Sequence, residues 1–365
     1  MKIKVNGNRL AEGLKKVGGV ANAKITPQIL GNVLVDAKDG EMTLMASNLK
    51  ITLITKVECE VIEAGATTVQ AKMLTTMVGA IGAGEIEIAT DKNEKMTIRS
   101  GELVFKMSGI PAKEFPKPVE PGGAQKYEVE AKELSRMLRK TVFCQCLDMT
   151  RKSLQGILFD FSGEYFKCVA TDGKGLALAM TKLDWKGHDE KFTVPSEAIA
   201  QIQRLVGTEG KVGILANKEA LVLDMEDGTR IYGQLLDSQF PNYEVVIPKE
   251  TKWCAEIDRE LFAAALTRVA IMAPDLNPTI VLKFVNGALD LDVAGDNEGS
   301  AHDKLAVKYE GESYKLFLNP YRILDPLKAM DADTVKMEFN DEKSQILIKG
   351  VDELGLNVLM PMRMQ

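Results

Sequence analysis

Residues 40–48 read GEMTLMASN, a glycine opening a strand-like run. Two relatives of this run follow, GEYFKCVATD from Gly163 and GALDLDVAGD from Gly287, at separations of 123 and 124 residues. A helix start keeps the same period: VQAKMLTTMV at Val69, VPSEAIAQIQ at Val194 and LNPYRILDPL at Leu318 lie 125 and 124 apart. So does a hairpin tip, NEKMTI at Asn93, NKEALVL at Asn217 and NDEKSQILI at Asn340, at 124 and 123. Three independent landmarks on one period identify an internal repeat. The chain therefore reads as three tandem domains, expected over 1–122, 123–250 and 251–365. Proline-rich segments mark the junctions, IPAKEFPKPVEPGG and DSQFPNYEVVIPKE, with Phe115-Pro116 and Phe240-Pro241 again 125 residues apart.

Within each repeat a helical pattern comes first, then strands, a second helix and a hairpin. Leu134, Met137, Leu138 and Val142 fall at i, i+3, i+4 and i+8, one apolar stripe of a helix. In EIEIATDKNEKMTIRSGELVFKM the apolar Ile86, Ile88, Met96, Ile98, Leu103, Phe105 and Met107 alternate with polar neighbours, as a half-buried antiparallel sheet requires. The expected fold class is α+β, three similar domains of two helices packed on antiparallel sheet.

The 365-residue chain carries a formal charge of −6, the wrong sign for a typical nucleic-acid binder. The distribution says more. Helices are predicted over 8–20, 70–82, 130–144, 194–207, 257–272 and 319–331. They hold thirteen basic and eight acidic residues, which leaves the rest of the chain at −11. Helix surfaces accept lysine and arginine readily, so this can be composition alone. It can equally mark a shared positive face for sequence-blind phosphate contact. The residues that would form such a face are Lys15, Lys72, Arg136, Arg139, Lys140, Arg204, Arg268 and Arg322.

Catalytic chemistry is missing. His188 and His302 sit in contexts of exposed turns, and Cys144-Gln145-Cys146 lacks metal or redox spacing, so buried thiols are expected. No phosphate-binding loop motif occurs, and TDGKG at 171–175 aligns with strand-to-strand loops in the other repeats. The acidic GDNEGSAHD lacks the oxygen-ligand spacing of a calcium loop. No metal, cofactor or catalytic group is expected. Five scattered cysteines and no apolar leader fit a reducing cytoplasm.

SLQGILFD with VATDGKGLALA, then FPNYEVVIP and VLMPMR, resemble in that order the bacterial DNA polymerase sliding clamp (beta subunit) family; ITPQILGN near the start fits too. The resemblance spans the chain. It implies a ring-forming head-to-tail dimer around duplex DNA, with helices inside and sheets outside, and no catalysis. Partners would be the polymerase catalytic subunit, the clamp loader and other proteins carrying clamp-binding peptides. The alternative is a three-repeat interaction scaffold that does not encircle DNA.

Carried over by position, the family's peptide pocket falls on Leu154, Thr171, Gly173, Leu176, Pro241, Val246, Val358, Met360, Pro361 and Met362. Arg151 and Arg363 would stand at the rim, and Ser344 joins the set. Methionines suit a groove that takes several partner sequences. Three features depart from the family: Lys174-Gly175 replaces a His-Arg pair, Val245 replaces an arginine, and the chain runs on to Met364-Gln365. Lys24 matches a basic DNA-contacting position, whereas Asp148 replaces a neutral one. At the dimer seam Phe105 and Met107 would meet Ile271 and Met272.

Overall fold

The computed structural model describes residues 1–21, 27–183, 189–294 and 299–362. Each landmark glycine turns the chain with φ in the left-handed region, +83° at Gly40, +70° at Gly163 and +73° at Gly287, where a side chain would be strained. Each is followed by the expected strand: Glu41–Ser47, Tyr165–Thr171 and Ala288–Ala294.

Six α-helices form among the described residues: α1 (Gly7–Val17), α2 (Ala71–Ile81), α3 (Ala131–Arg139), α4 (Ser196–Leu205), α5 (Arg259–Ala270) and α6 (Pro320–Ala329). All six fall where the periodicity predicts them, but α3 is shorter. It stops at Arg139, and Val142–Cys144 continues as a separate 3-10 turn. Caps set the starts. Asn6 accepts from the Asn8 and Arg9 amides, Asp258 from the Leu261 amide and Asn319 from the Tyr321 amide, with Pro320 opening α6.

The chain forms two compact units, Met1–Leu134 with Ala200–Asp237, and Ser135–Ile199 with Ser238–Gln365. The first holds a five-stranded antiparallel sheet in the order Glu60–Glu63, Lys2–Asn6, Glu85–Thr90, Lys95–Ser100, Leu103–Ser108. Its second sheet has eight strands, and two repeats build it. Arg230–Gln234 of the central repeat pairs antiparallel with Ile51–Glu58 of the first, Gly233 opposite Ile51. The second unit repeats the design: Gly175–Lys182 of the central repeat pairs with Gly355–Leu359 of the third, Gly175 opposite Leu359. A four-stranded sheet completes it, ending on Ser300–Ala306. Edge strands of neighbouring repeats satisfy each other's backbone groups, so the large antiparallel sheets cross the sequence junctions.

Behind the second unit's sheets, Phe262, Leu266, Phe284, Leu316, Ile323 and Phe339 form a fully buried core. Among the described residues no helix is long and apolar enough to cross a membrane.

Candidate peptide-docking groove

TDGKG is the strand-to-strand loop predicted, between Tyr165–Thr171 and Gly175–Lys182. Asp172 organises it. Its Oδ1 accepts from the Lys174 and Gly175 amides at 2.9 Å, and its Oδ2 takes the Arg322 guanidinium at 2.6 Å. Burial pushes this carboxyl up, but the Arg322 bond and the two amides outweigh it and hold it below the ordinary carboxylate range. Thr171 Oγ1 donates to the Gly175 carbonyl and accepts from the Gly173 amide. Gly173 sits at φ +82°, and Arg151 crosses above it to donate to the Asp172 carbonyl at 3.2 Å.

A second wall comes from the FPNYEVVIP segment. Phe240 and Tyr243 pack with Leu158, Leu176, Leu178, Leu347 and Val358 in one small apolar cluster. Tyr243 is fixed by its hydroxyl, which donates to the buried Asp160 carboxylate at 2.9 Å. Burial pushes Asp160 up, and bonds from Ser162, Lys191 and Tyr243 pull it back below the usual range. With Tyr243 anchored, the 3-10 turn Tyr243–Val246 presents Val245 (73% exposed) and Val246 outward. Pro241 is also exposed.

The final strand supplies the third side. Val358 is buried, and Met360 beyond it is 43% exposed while its amide donates to the Lys174 carbonyl at 3.2 Å. The Met362 amide donates to the Phe317 carbonyl at 2.7 Å, and Thr279 Oγ1 donates to the Met362 sulfur at 3.4 Å. Leu154, Thr171 and Leu176 form the floor; Arg151, Gly173 and Lys174 are exposed, and Pro361 is half-buried. Ser344 is half-buried and tied to its own turn by Asp341. Arg363 and Met364 lie outside the described residues, as do Lys24 and His188.

Two features here escaped sequence reasoning. Leu147 and Met149, 90% and 78% exposed, stand either side of Asp148, whose carbonyl accepts from the Arg151 amide and the Gln155 side chain. Arg322 reaches the groove loop from α6, and its Nη1 would lie 3.5 Å from a Cβ placed on Gly175. The acid in TDGKG was the available signal for a basic partner.

The basic helix residues divide. Lys15 and Lys72 are exposed. Arg204 donates to the Lys15 and Lys16 carbonyls and so caps the end of α1. Arg139 likewise donates to the Ala329 carbonyl at the end of α6 and to Asp331 at 2.7 Å. Arg136 donates to the Met180 carbonyl. Lys140 is a correction: it is 9% exposed and paired with Asp331 at 3.1 Å and Glu353 at 2.9 Å, so its ammonium does not face solvent. Arg322, spent on Asp172, is another. Helix ends bury their carbonyls where repeats meet, and the nearest arginines are drawn to them. At the proposed seam, Phe105 is half-buried, Ile271 is 79% exposed and Met272 packs partly against the core. Met107 is corrected to a core residue, 7% exposed, the one buried position of its strand. His302 lies on a strand rather than a turn, 2.7 Å from Asp292.

Cys144 and Cys146 are buried, and burial with nearby Asp172 pushes the Cys144 thiol up to about 12. No cluster of three metal-ligating side chains occurs among the described residues.

Comparison with known proteins agrees along the whole chain. Three family models match in order: the DNA polymerase III beta subunit N-terminal domain over residues 1–119, its central domain over 128–242 and its C-terminal domain over 244–363. The beta sliding clamp of Escherichia coli is 27% identical over 368 residues, covering 100% of both chains. The crystal structure of the DNA polymerase III subunit beta from Pseudomonas aeruginosa superposes with TM-score 0.95 at 26% identity, covering 100% of both chains. The sliding clamp from Bartonella birtlesii bound to griselimycin gives TM-score 0.94 at 28% identity, again covering 100% of both. The chain belongs to the DNA polymerase III beta subunit family, the beta sliding clamps, a non-catalytic part of the replicative polymerase.

Proposed function

We propose that two copies of this chain close head to tail into a ring around duplex DNA in the cytoplasm, and that each copy docks partner peptides in the groove just described. Such a ring holds its polymerase on DNA by topology. The groove carries the peptide reading: a buried floor of Leu154, Leu176 and Val358 meets exposed Val245, Val246 and Met360, with the Asp172 loop fixing one wall. Apolar anchors of a linear peptide fit such a surface, and a methionine lip adapts to more than one sequence. With Gly175 in place of the family's arginine, the guanidinium at this wall is Arg322.

The DNA-facing charge is proposed to be modest, with Lys15 and Lys72 as its free members and Lys24 assigned by resemblance. Weak, salt-sensitive attraction suits a ring that must slide. Fluorescence anisotropy with a labelled clamp-binding peptide tests the groove. Met360→Asp, at a side chain 43% exposed, is expected to weaken binding at least tenfold without loss of the folded state. Unchanged affinity in a folded variant overturns the assignment.

A further inference from the structure

The two sheet crossings inside the chain are templates for a third. At the first, Lys16 reaches the hairpin tip of the neighbouring repeat and pairs with Asp227 at 2.7 Å. At the second, Lys140 pairs at 2.9 Å with Glu353, on the equivalent hairpin tip. Counted from the first residue of α1 and of α3, both lysines stand at position ten, Lys16 inside α1 and Lys140 one residue past the end of α3. Position ten of α5 is Arg268. The hairpin tip of the first repeat is shorter, Gly101-Glu102, and its acid is Glu102, exposed and without an ion pair among the described residues. Within one copy the series is one member short.

The strand register brings the missing pair together. Met96 faces Met107 in the first hairpin as Leu221 faces Gly233 in the second, so Met107 takes the place of Gly233 and Leu103 that of Thr229. Leu44 faces Thr55 as Leu291 faces Asp303, so Asp303 takes the place of Thr55. At the first crossing the Thr55 and Thr229 hydroxyls stand 3.1 Å apart. If Leu103–Ser108 of one copy joins Ser300–Ala306 of another in that register, Leu103 lies opposite Asp303 and Glu102 lies beside it. Asp303 already holds Arg268, at 2.6 Å. Lys140 shows that one cation at this position serves two acids, since it binds Asp331 and Glu353 together.

Resting on the ring reading above, we propose that Arg268 closes the seam between copies as an ion pair with Glu102 of the partner subunit, Asp303 holding the guanidinium in place beforehand. The occupant is a second copy because both intrachain crossings pair these same strand positions. Opposite charge stands at the two ends of the missing contact.

The test is dimer dissociation measured by analytical ultracentrifugation on the full chain, with thermal unfolding as a check on folding. Glu102→Arg changes an exposed turn and is expected to raise the dissociation constant about tenfold or more, because the ring has two such seams and reversal adds repulsion. Combining it with Arg268→Glu is expected to recover most of that loss, and added salt is expected to shrink the difference. A folded Glu102→Arg chain that dimerises like the wild type overturns the pair, as does a double variant no tighter than Glu102→Arg alone. A wild-type chain that is monomeric at micromolar concentration overturns the ring reading instead.

Discussion

Gly173 and Asp160 show how single residues hold the groove. At Gly173 the φ of +82° admits glycine cheaply, and an added Cβ would lie 2.8 Å from Arg151 Nη1. Gly173→Ala is expected to cost about 1 kcal/mol or more in stability by urea denaturation and to weaken peptide binding, because the loop or Arg151 must shift. Asp160 works from beneath. Its carboxyl is depressed in the fold, so its stabilisation is complete above the unfolded value of about 4 and is lost as pH falls through the lower folded value. Asp160→Asn is therefore expected to flatten the acid limb of the stability profile below about pH 4. A variant whose urea midpoint falls with acid as steeply as the wild type's would contradict this role. None of this was visible in the sequence. Asp160 and Tyr243 are 83 residues apart, and only folding shows that one anchors the other.

At the scale of elements, periodicity made the helices legible, and in the structure Asp258, Asn319 and Pro320 fix their starts by chemistry that acts within one turn. Asn319→Ala is expected to cost about 1 kcal/mol, seen as a lower urea midpoint at unchanged slope. The destinations of the helix arginines were not legible. Arg139 and Arg204 look like a positive face in one dimension, yet in space they meet the carbonyls of α6 and α1. The final strand, Gly355–Leu359, buries three consecutive residues and so offers no alternation to read, and its continuation as a groove wall came from resemblance. Deleting residues 360–365 removes the Met360 bond to Lys174 and is expected to abolish peptide binding while the strand stays paired. Normal peptide affinity in the truncated chain would move the groove elsewhere.

For the whole molecule, the repeat period gave three domains, but periodicity is silent on which edge strands pair. Two large sheets span the repeats, and two smaller sheets end on Leu103–Ser108 and Ser300–Ala306. An exposed edge is a pairing site unless something covers it. In the ring proposed above a second copy would cover both at once, since two identical heterologous contacts that close make a ring. Its hold on DNA is then topological. The direct measurement is retention on DNA after loading with a clamp loader and ATP, comparing closed circles with the same DNA cut once. A ring stays on circles and runs off the cut ends within the time of sliding. Equal retention on both forms would contradict encirclement and leave a protein that merely adheres.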